Sequence, residues 1–287
     1  MNADLLIIGA GPAGIAAASE AARSGASFNL IDETGRAGGA IGLAYETRGI
    51  PFVADRTPGA AVARLLQAEA DRLGGVERAT IHSLSEQPGC VVARTDRGEE
   101  LRARAVVVAT GATPMIPPVP GLPPLLQPPW AGSASDIEDA VALQVAVIGG
   151  SDVAFDQARA LRSRGAAVAV LCRSRAPRAP RWLWQAAVRD GVEVLAHTVV
   201  VSADAVGREV DLELRMASTT VHRRFGRVLA AVGRAPRRIE GMEELSMDRA
   251  RIVGDAVGRA ARHVAIAMGD GTLAAFELLR GARETER

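Results

Sequence analysis

The sequence predicts an α/β protein built from two Rossmann-like domains, each with three layers. The main observation is a unit of strand, glycine turn, helix and strand that occurs twice, near residues 4–33 and again near 145–175. Short apolar strands that alternate with helices are typical of βαβ units in a parallel sheet. A proline-rich stretch at 114–129 separates the two copies. Proline at that density predicts a boundary between domains.

The first glycine turn has the pattern of a dinucleotide-binding fingerprint. It reads GAGPAG at 9–14, lies between a predicted strand at 5–8 and a helix, and is followed 18 positions later by Asp32. Its glycines permit a tight turn and a close backbone approach to a pyrophosphate, and the acid binds ribose hydroxyls. A glycine-rich turn alone would also suit other α/β proteins. The strand, the helix and the terminal acid together favour a nucleotide site.

Composition limits the classes of function. The 287 residues leave room for two domains, and the net charge of +1 argues against a nucleic-acid or anionic-membrane surface. The chain contains no lysine, which removes every mechanism that needs one. Two cysteines, Cys90 and Cys172, are too few for a disulfide framework or a metal cluster. We expect no signal peptide, no membrane span and no metal, and therefore a cytoplasmic protein.

The rest of the first half predicts a loop, a helix and a small antiparallel sheet. The loop at 35–39 contains two adjacent glycines, and helical spacing of Ala, Val and Leu predicts a helix at 59–73. Three strands with turn residues between them follow at 80–84, 90–95 and 101–109.

The second half repeats the pattern and adds further strands, so we expect a small antiparallel sheet in this half as well. A strand at 145–148 precedes the second turn, GGSDVA at 149–154, and a helix then runs to about Arg164. The other predicted elements are strands at 168–171, 192–196, 199–202, 209–216 and 227–231, and helices at 181–189 and about 263–279.

Four motifs together resemble the flavoproteins that have two dinucleotide-binding domains, and among them the thioredoxin-reductase-like branch. GAGPAG at 9–14 resembles the turn that binds the FAD pyrophosphate, and ATGATP at 109–114 resembles the motif where the chain leaves the FAD domain. VGD at 253–255 resembles the late motif whose aspartate binds the ribityl chain, and 262–276 resembles the last helix. The resemblance covers nearly the whole chain.

This resemblance implies the domain bounds and the residues that hold FAD. The FAD domain would comprise 1–118 and 245–287, with an NAD(P)-type domain at 119–244 inserted in it. The start of the last helix would stabilise the negative charge of a reduced flavin. Alternatively, Asp255 is an ordinary aspartate in a turn, and His263 is a solvated residue at the start of the helix. The implied FAD residues are Gly9, Gly11, Pro12, Ala13, Gly14, Asp32, Glu33, Gly38, Gly39, Ala40, Ile81, Thr110, Gly111, Gly254, Asp255, Arg262, His263 and Val264.

The second turn is an imperfect copy of the family's nicotinamide-nucleotide site. Gly149, Ser151 and Asp152 belong to it, and Ser151 stands where backbone approaches the pyrophosphate. After the next strand, Arg173 and Arg178 match two positions of a pattern that grips the 2′-phosphate of NADPH, with Arg175 as a compensating residue. No acid ends this strand, so NADPH is expected rather than NADH. A solvated basic loop is the alternative.

One departure from the family concerns the redox-active Cys-x-x-Cys. The matching region, 130–144, contains no cysteine, so the resemblance does not extend to a dithiol relay. The loop after Gly38-Gly39 would run beside the flavin ring. We therefore take Tyr45, Glu46 and Arg48, together with His263, as candidates for catalysis or substrate contact. Ordinary loop residues are the alternative for the first three.

The resemblance implies an FAD-dependent oxidoreductase whose flavin is reduced by NADPH. The flavin would pass electrons to a small molecule, a partner protein or oxygen. An FAD oxidase or dehydrogenase that acts directly on an organic substrate, with a degenerate second domain, is the alternative, and a non-enzymatic flavin subunit is a third reading. A homodimer is the family expectation. The connections 114–129 and 234–244 would be the hinges of any domain rotation.

Overall fold

The structure, a computed structural model, describes residues 3–122, 134, 137 and 140–285. The chain divides into two compact units. The first comprises Met1–Gly42, Thr47–Thr113 and Pro236–Arg287, and the second comprises Leu43–Glu46 and Pro114–Ala235. The cofactor domains expected at 1–118 with 245–287, and at 119–244, stay a prediction. The placement of Leu43–Glu46 in the second unit had no counterpart in the sequence analysis.

Strands and helices alternate over 3–78 and 144–195, and a run of consecutive strands follows each of these stretches. Two short 3₁₀ helices occupy Gly39–Leu43 and Gly254–Val257. In chain order the elements are β1 (Ala3–Ile8), α1 (Pro12–Arg23), β2 (Phe28–Asp32), α2 (Gly59–Arg72), β3 (Glu77–Arg78), β4 (Ile81–Gln87), β5 (Cys90–Thr95), β6 (Glu100–Val108), β7 (Ala112–Pro114), β8 (Gln144–Ile148), α3 (Asp152–Ser163), β9 (Ala167–Leu171), α4 (Arg181–Arg189), β10 (Glu193–Leu195), β11 (Thr198–Val206), β12 (Glu209–Met216), β13 (Thr219–Phe225), β14 (Arg227–Ala230), β15 (Arg234–Pro236), β16 (Ala250–Ile252) and α5 (Val264–Thr285).

A seven-stranded sheet forms the middle layer of the first unit. Its order is β3-β2-β1-β6-β5-β4, and β16 also pairs with β6. The pairs β1–β2, β1–β6, β2–β3 and β6–β16 are parallel, whereas β4–β5 and β5–β6 are antiparallel. The antiparallel excursion predicted for this half is therefore present.

Alternate residues of β1 enter two different hydrophobic clusters, which gives this unit its three layers. Leu5 and Ile7 are buried with residues of α1, α2 and α5. Leu6 and Ile8 are buried with a second cluster that includes Val91 and Met242. A central parallel strand is covered on both faces, so its four buried positions, 5–8, are all apolar.

The second unit is built in the same way. Its parallel sheet has the order β10-β9-β8-β14, and β11-β12-β13 form a separate antiparallel sheet. Val145 and Val147 of β8 pack with α3 and α4, whereas Ala146 and Ile148 pack with the antiparallel strands. The predicted α/β class, with two Rossmann-like units and an antiparallel excursion in each, is confirmed.

Equivalent backbone hydrogen bonds join the same parts of both units. In each unit, the amide of the first glycine of the turn donates to a carbonyl near the end of the next strand in sequence. The last residue of the strand before the turn accepts from the amide that follows the strand on its other side. The pairs are Gly9 N to Ile31 O (2.7 Å) and Gly149 N to Leu171 O (3.0 Å), then Ala109 N to Ile8 O (2.8 Å) and Ala231 N to Ile148 O (2.7 Å).

Several predicted bounds were wrong, and five strands, β3, β7, β13, β15 and β16, were missed. β13 has mostly exposed polar and charged residues, so it lacks the apolar alternation that identifies a half-buried strand. β3 has two exposed residues. β4 and β11 extend beyond the predicted 80–84 and 199–202, because their polar ends continue the pairing with β5 and β12. The part of the proline-rich stretch from 123 onward, and most of 130–144, lie outside the described residues.

Two kinds of feature are absent from the described ranges. No helix there is both long and apolar enough to span a lipid bilayer. The same ranges hold no group of three or more His, Cys, Asp or Glu side chains placed to bind a metal ion.

Candidate functional site

The first glycine turn can be built only from glycine at two positions. Gly9 has a φ of 105°, and a Cβ atom on it would lie 2.3 Å from the carbonyl oxygen of Ala109. A Cβ atom on Gly14 would lie 1.8 Å from the carbonyl oxygen of Gly9. These contacts let β1, the turn and α1 pack at backbone distance, as the fingerprint requires.

A second pair of glycines lies against this turn. The Gly38 amide donates to the carbonyl of Ala10 at 2.9 Å. Gly39 has a φ of 59°, and a Cβ atom there would come within 3.0 Å of the Gly11 Cα. Two stretches of backbone without side chains thus face each other. Gly11 is also the N-cap of α1 and supplies no side-chain cap, and Pro12 begins the helix, so the helix amino end is open to an anion.

The two acids after β2 have different partners. One carboxylate oxygen of Asp32 accepts from the Ala10 amide at 3.0 Å, and the other accepts from the amide and hydroxyl of Thr34. Asp32 is therefore fixed beside the turn. Glu33 instead forms a two-point ion pair with Arg237. Hydrogen bonding to this guanidinium lowers the pKa of Glu33.

Arg237 was missed by the sequence analysis, which treated 234–244 as a hinge. Its amide donates to the carbonyl of Gly111 at 3.0 Å, and its carbonyl accepts from the Thr110 hydroxyl at 2.8 Å. Arg237 therefore joins the expected FAD residues Thr110 and Gly111 to Glu33. Paired arginines at 237–238 were the only signal in the sequence, and an arginine pair has no unique meaning.

The late motif places Gly254 and Asp255 beside α1. Gly254 has a φ of 62°, and a Cβ atom on it would lie 3.1 Å from the Cβ of Ala13. Its amide donates to Asp270 at 3.2 Å. Asp255 is half-buried, and its carboxylate has no hydrogen-bond partner in the described part of the chain. That carboxylate can accept hydroxyl hydrogens from a ligand.

The residues that precede α5 are exposed. Nδ1 of His263 accepts from the Ala265 amide at 3.2 Å, so the imidazole caps the helix that begins at Val264. Its Nε2 lies 3.6 Å from the position that a Cβ would take on Gly49. Arg262 is exposed beside it. Ala40 lies in the 3₁₀ helix after Gly39, whereas Ile81 is a buried core residue of β4.

The second turn repeats the geometry of the first. Gly149 has a φ of 149°, and a Cβ on it would lie 2.3 Å from the carbonyl oxygen of Ala231. Ser151 takes the place of Gly11 as the helix N-cap, and its hydroxyl makes no capping hydrogen bond. Asp152 begins α3 and accepts from the Val153 amide at 3.0 Å.

An arginine-rich loop lies against this second turn. The amides of Arg178 and Ala179 donate to the Gly150 carbonyl at 2.7 and 3.0 Å. Arg173, Arg175 and Arg178 are exposed, and none of them forms an ion pair in the ranges that the structure describes. Three cations are thus free beside a glycine turn.

Neither cysteine is placed for redox chemistry. Cys90 and Cys172 are both free and buried, and they belong to different units. Burial raises the pKa of the Cys172 thiol to about 11, and the thiol contacts the Gly149 carbonyl at 3.3 Å. A protonated, buried thiol is a poor nucleophile.

Tyr45 and Glu46 lie with residues of α3. Asp156 accepts hydrogen bonds from both of their amides, at 2.8 and 3.3 Å. The Glu46 carboxylate forms an ion pair with Arg159 at 2.9 Å. Arg48, the third loop candidate, is exposed in the first unit. Tyr45 and Glu46 thus belong to the second unit, whereas Arg48 and His263 belong to the first.

Comparison with known proteins gives matches over most of the chain. A family model described as "Pyridine nucleotide-disulphide oxidoreductase" matches residues 3–285. A mercuric reductase of Shigella flexneri is 29% identical over 272 residues, which are 81% of this chain and 48% of that protein. A ferredoxin–NADP reductase of Paraburkholderia phymatum is 31% identical over 247 residues, which are 81% of this chain and 70% of that protein. The chain spans about half the length of the mercuric reductase.

Solved structures of similar fold include two thioredoxin reductases. The one from Lactococcus lactis has a TM-score of 0.89 at 22% identity and covers 99% of this chain and 100% of its own. The one from T. acidophilum has a TM-score of 0.86 at 20% identity and covers 98% of this chain and 99% of its own. At these identities the likeness concerns the fold, and it confirms the predicted pair of dinucleotide-binding domains.

Proposed function

Because this chain belongs to the pyridine nucleotide-disulphide oxidoreductases, a family that uses FAD and NAD(P)H, we propose that NADPH reduces an FAD on it and that the flavin passes the electrons on without a cysteine pair. The observation that carries the proposal is the pair of equivalent glycine turns. Asp32 follows the first turn, whereas a loop of free arginines follows the second.

The first unit fits an FAD. Gly11 and Gly39 present bare backbone beside the open end of α1, where a pyrophosphate is stabilised by amides and the helix dipole. Asp32 would bind the adenosine ribose, and the partner-free carboxylate of Asp255 would bind the ribityl hydroxyls. Bound flavin supplies the acceptance of a hydride and the later release of two electrons.

The second unit fits a nucleotide with an additional phosphate. Arg173, Arg175 and Arg178 offer planar, permanently charged donors that suit a 2′-phosphate. An NAD site would present a carboxylate to the ribose diol at this strand end, and here Cys172 and Arg173 follow β9. The proposed donor is therefore NADPH.

The electron acceptor is proposed to be a small molecule, a partner protein or oxygen. The two buried cysteines cannot relay electrons as a dithiol, and this argues against thioredoxin-reductase activity. Among the relatives, the protein that is 31% identical to this chain over 247 residues is named a ferredoxin–NADP reductase. That name supports a one-electron protein acceptor as the first to be tried.

Ser151 favours a second candidate function. A side chain at the N-cap of α3 could crowd the phosphates of a nucleotide, and the chain would then be an FAD oxidase or dehydrogenase that takes electrons directly from an organic substrate. In that case the arginine loop would be a solvated surface. The two candidates differ in whether any nicotinamide nucleotide reduces the flavin.

Anaerobic stopped-flow absorbance of the FAD-loaded protein tests the proposal. We expect NADPH to bleach the oxidised flavin band in a single rapid phase. Bleaching by neither NADPH nor NADH would contradict the proposal and favour the oxidase. A protein that takes up no FAD would contradict both candidates.

A further inference from the structure

Two adjacent side chains of α3 bind the backbone of Leu43–Glu46. The Asp156 carboxylate accepts from the amides of Tyr45 (2.8 Å) and Glu46 (3.3 Å). The Gln157 side-chain amide donates to the carbonyl of Leu43 at 3.1 Å. Three backbone groups of a four-residue segment are therefore satisfied by side chains more than 100 positions away in sequence.

The side chains of the segment are held by the same face of α3. Glu46 forms its ion pair with Arg159, and these side chains are 8% and 7% exposed. The Arg159 guanidinium also lies over the Tyr45 ring, 5.6 Å from its centroid, within cation–π range. Arg159 pairs in addition with Asp190, which follows α4, at 2.7 Å. The segment is thus bound through its backbone and through both of its polar side chains.

This cluster has an excess of negative charge. Three carboxylates, those of Glu46, Asp156 and Asp190, share one guanidinium. Burial raises the pKa of Asp156 to about 6, the negative charge of Glu46 adds to this rise, and the two amide hydrogen bonds and Arg159 oppose it. The cluster therefore takes up a proton more readily than a solvated aspartate does.

We propose that Asp156 is a proton-sensitive positioning residue, which holds Leu43–Glu46 when it is protonated and loosens it when it is ionised. Its carboxyl contacts neither of the glycine turns, so it acts through the segment. A protonated Asp156 carries no buried charge, and its carbonyl oxygen still accepts one of the two amide hydrogens, which reach different carboxylate oxygens in the structure.

Linkage fixes the direction and size of the effect. If release of the segment exposes Asp156 to water, its pKa returns from about 6 to its ordinary value of 3.8. Asp156 then binds its proton more tightly when α3 holds Leu43–Glu46 than when the segment is released. The contact between α3 and the segment therefore weakens as the pH rises from 3.8 to about 6. A difference of about two in pKa corresponds to a roughly 100-fold weakening of the hold.

Hydrogen exchange of the Tyr45 and Glu46 amides measures the hold directly. After correction for the intrinsic exchange rate, their protection should fall up to about 30-fold from pH 4.5 to pH 7.5. Asp156→Asn resembles the protonated acid in size and in its carbonyl acceptor, so its protection should change less than about threefold. Asp156→Ala removes the acceptor and should leave both amides poorly protected at both pH values. Exposed Asp204 is the matched control, and Asp204→Asn should behave as the unsubstituted protein does.

The single tyrosine of the chain gives an independent reading. In protein labelled with 3-fluorotyrosine, the one fluorine resonance should shift with a midpoint near pH 6, and this step should be absent in Asp156→Asn. A step that persists in Asp156→Asn, or protection that does not depend on pH in the unsubstituted protein, would overturn the proposal. Neither measurement needs electron transfer, so failure of the proposed function would leave the outcome readable.

Discussion

Ser151 is the residue in which the two glycine turns differ most in chemistry. Gly11 and Ser151 have nearly the same backbone, with φ of −75° and −89°, in a region open to every residue. The serine therefore costs the turn no strain. Because its hydroxyl does not cap α3, it can donate to a phosphate. We propose that the second turn is a changed nucleotide site rather than a damaged one.

Asp156 carries a prediction about stability. Its pKa in the folded protein, about 6, lies above the ordinary 3.8, so the native state binds more protons between these values. Its contribution to the free energy of unfolding is therefore fully present below pH 4 and is lost as the pH rises through 6. The loss amounts to at most about 3 kcal/mol.

Urea unfolding at several pH values measures this loss. The difference in unfolding free energy between the unsubstituted protein and Asp156→Asn should fall as the pH rises from 4.5 to 7.5. Subtracting one unfolding free energy from the other removes the contributions of the other titrating groups, which the two proteins share. A difference that stays constant over this range would show that ionisation of Asp156 does not destabilise the folded protein.

At the scale of elements, α1 and α5 approach at backbone distance. A Cβ on Gly271 would lie 2.0 Å from the carbonyl oxygen of Ala13, whereas one on Gly269 would meet nothing within 4 Å. Both glycines lie in α5. The approach keeps Ala13, next to the expected pyrophosphate position, in place against the last helix.

These two glycines form a matched pair for substitution by alanine. Gly269→Ala should stabilise the protein by up to about 1 kcal/mol, because alanine favours the helix. Gly271→Ala gains the same propensity but should destabilise the protein by roughly 1–3 kcal/mol, because the helices must separate. Chemical denaturation of both variants measures the two effects. Equal effects of the two substitutions would mean that the helices do not pack as described.

The strands and helices were largely predictable, whereas the contacts between distant residues were not. GAGPAG, GGSDVA and their flanking apolar runs specify both βαβ units through local patterns. The ion pair of Glu33 with Arg237 joins residues 204 positions apart, and the bonds of Asp156 to the segment cross 110 or more. No periodicity encodes such pairs. β13 was missed for a different reason, since a polar, exposed strand has no apolar pattern to detect.

For the whole molecule, the repeat explains how one chain can serve two nucleotides. Both units use the same strand, turn and helix to present amides, and they differ in the groups that follow the second strand of each unit. A carboxylate lies after β2, and free arginines lie after β9. We propose that this difference assigns FAD to the first unit and NADPH to the second.

The most direct test compares the rate constants with which NADPH and NADH reduce the flavin, in the unsubstituted protein and in Arg173→Ala/Arg178→Ala. We expect NADPH to be preferred, and the double substitution to slow NADPH roughly 10- to 100-fold, as loss of charged hydrogen bonds predicts, with NADH changed less than about threefold. Exposed Arg208 provides the control, and Arg208→Ala should change neither rate. Equal losses for both nucleotides, or none, would contradict an NADPH site at the second turn.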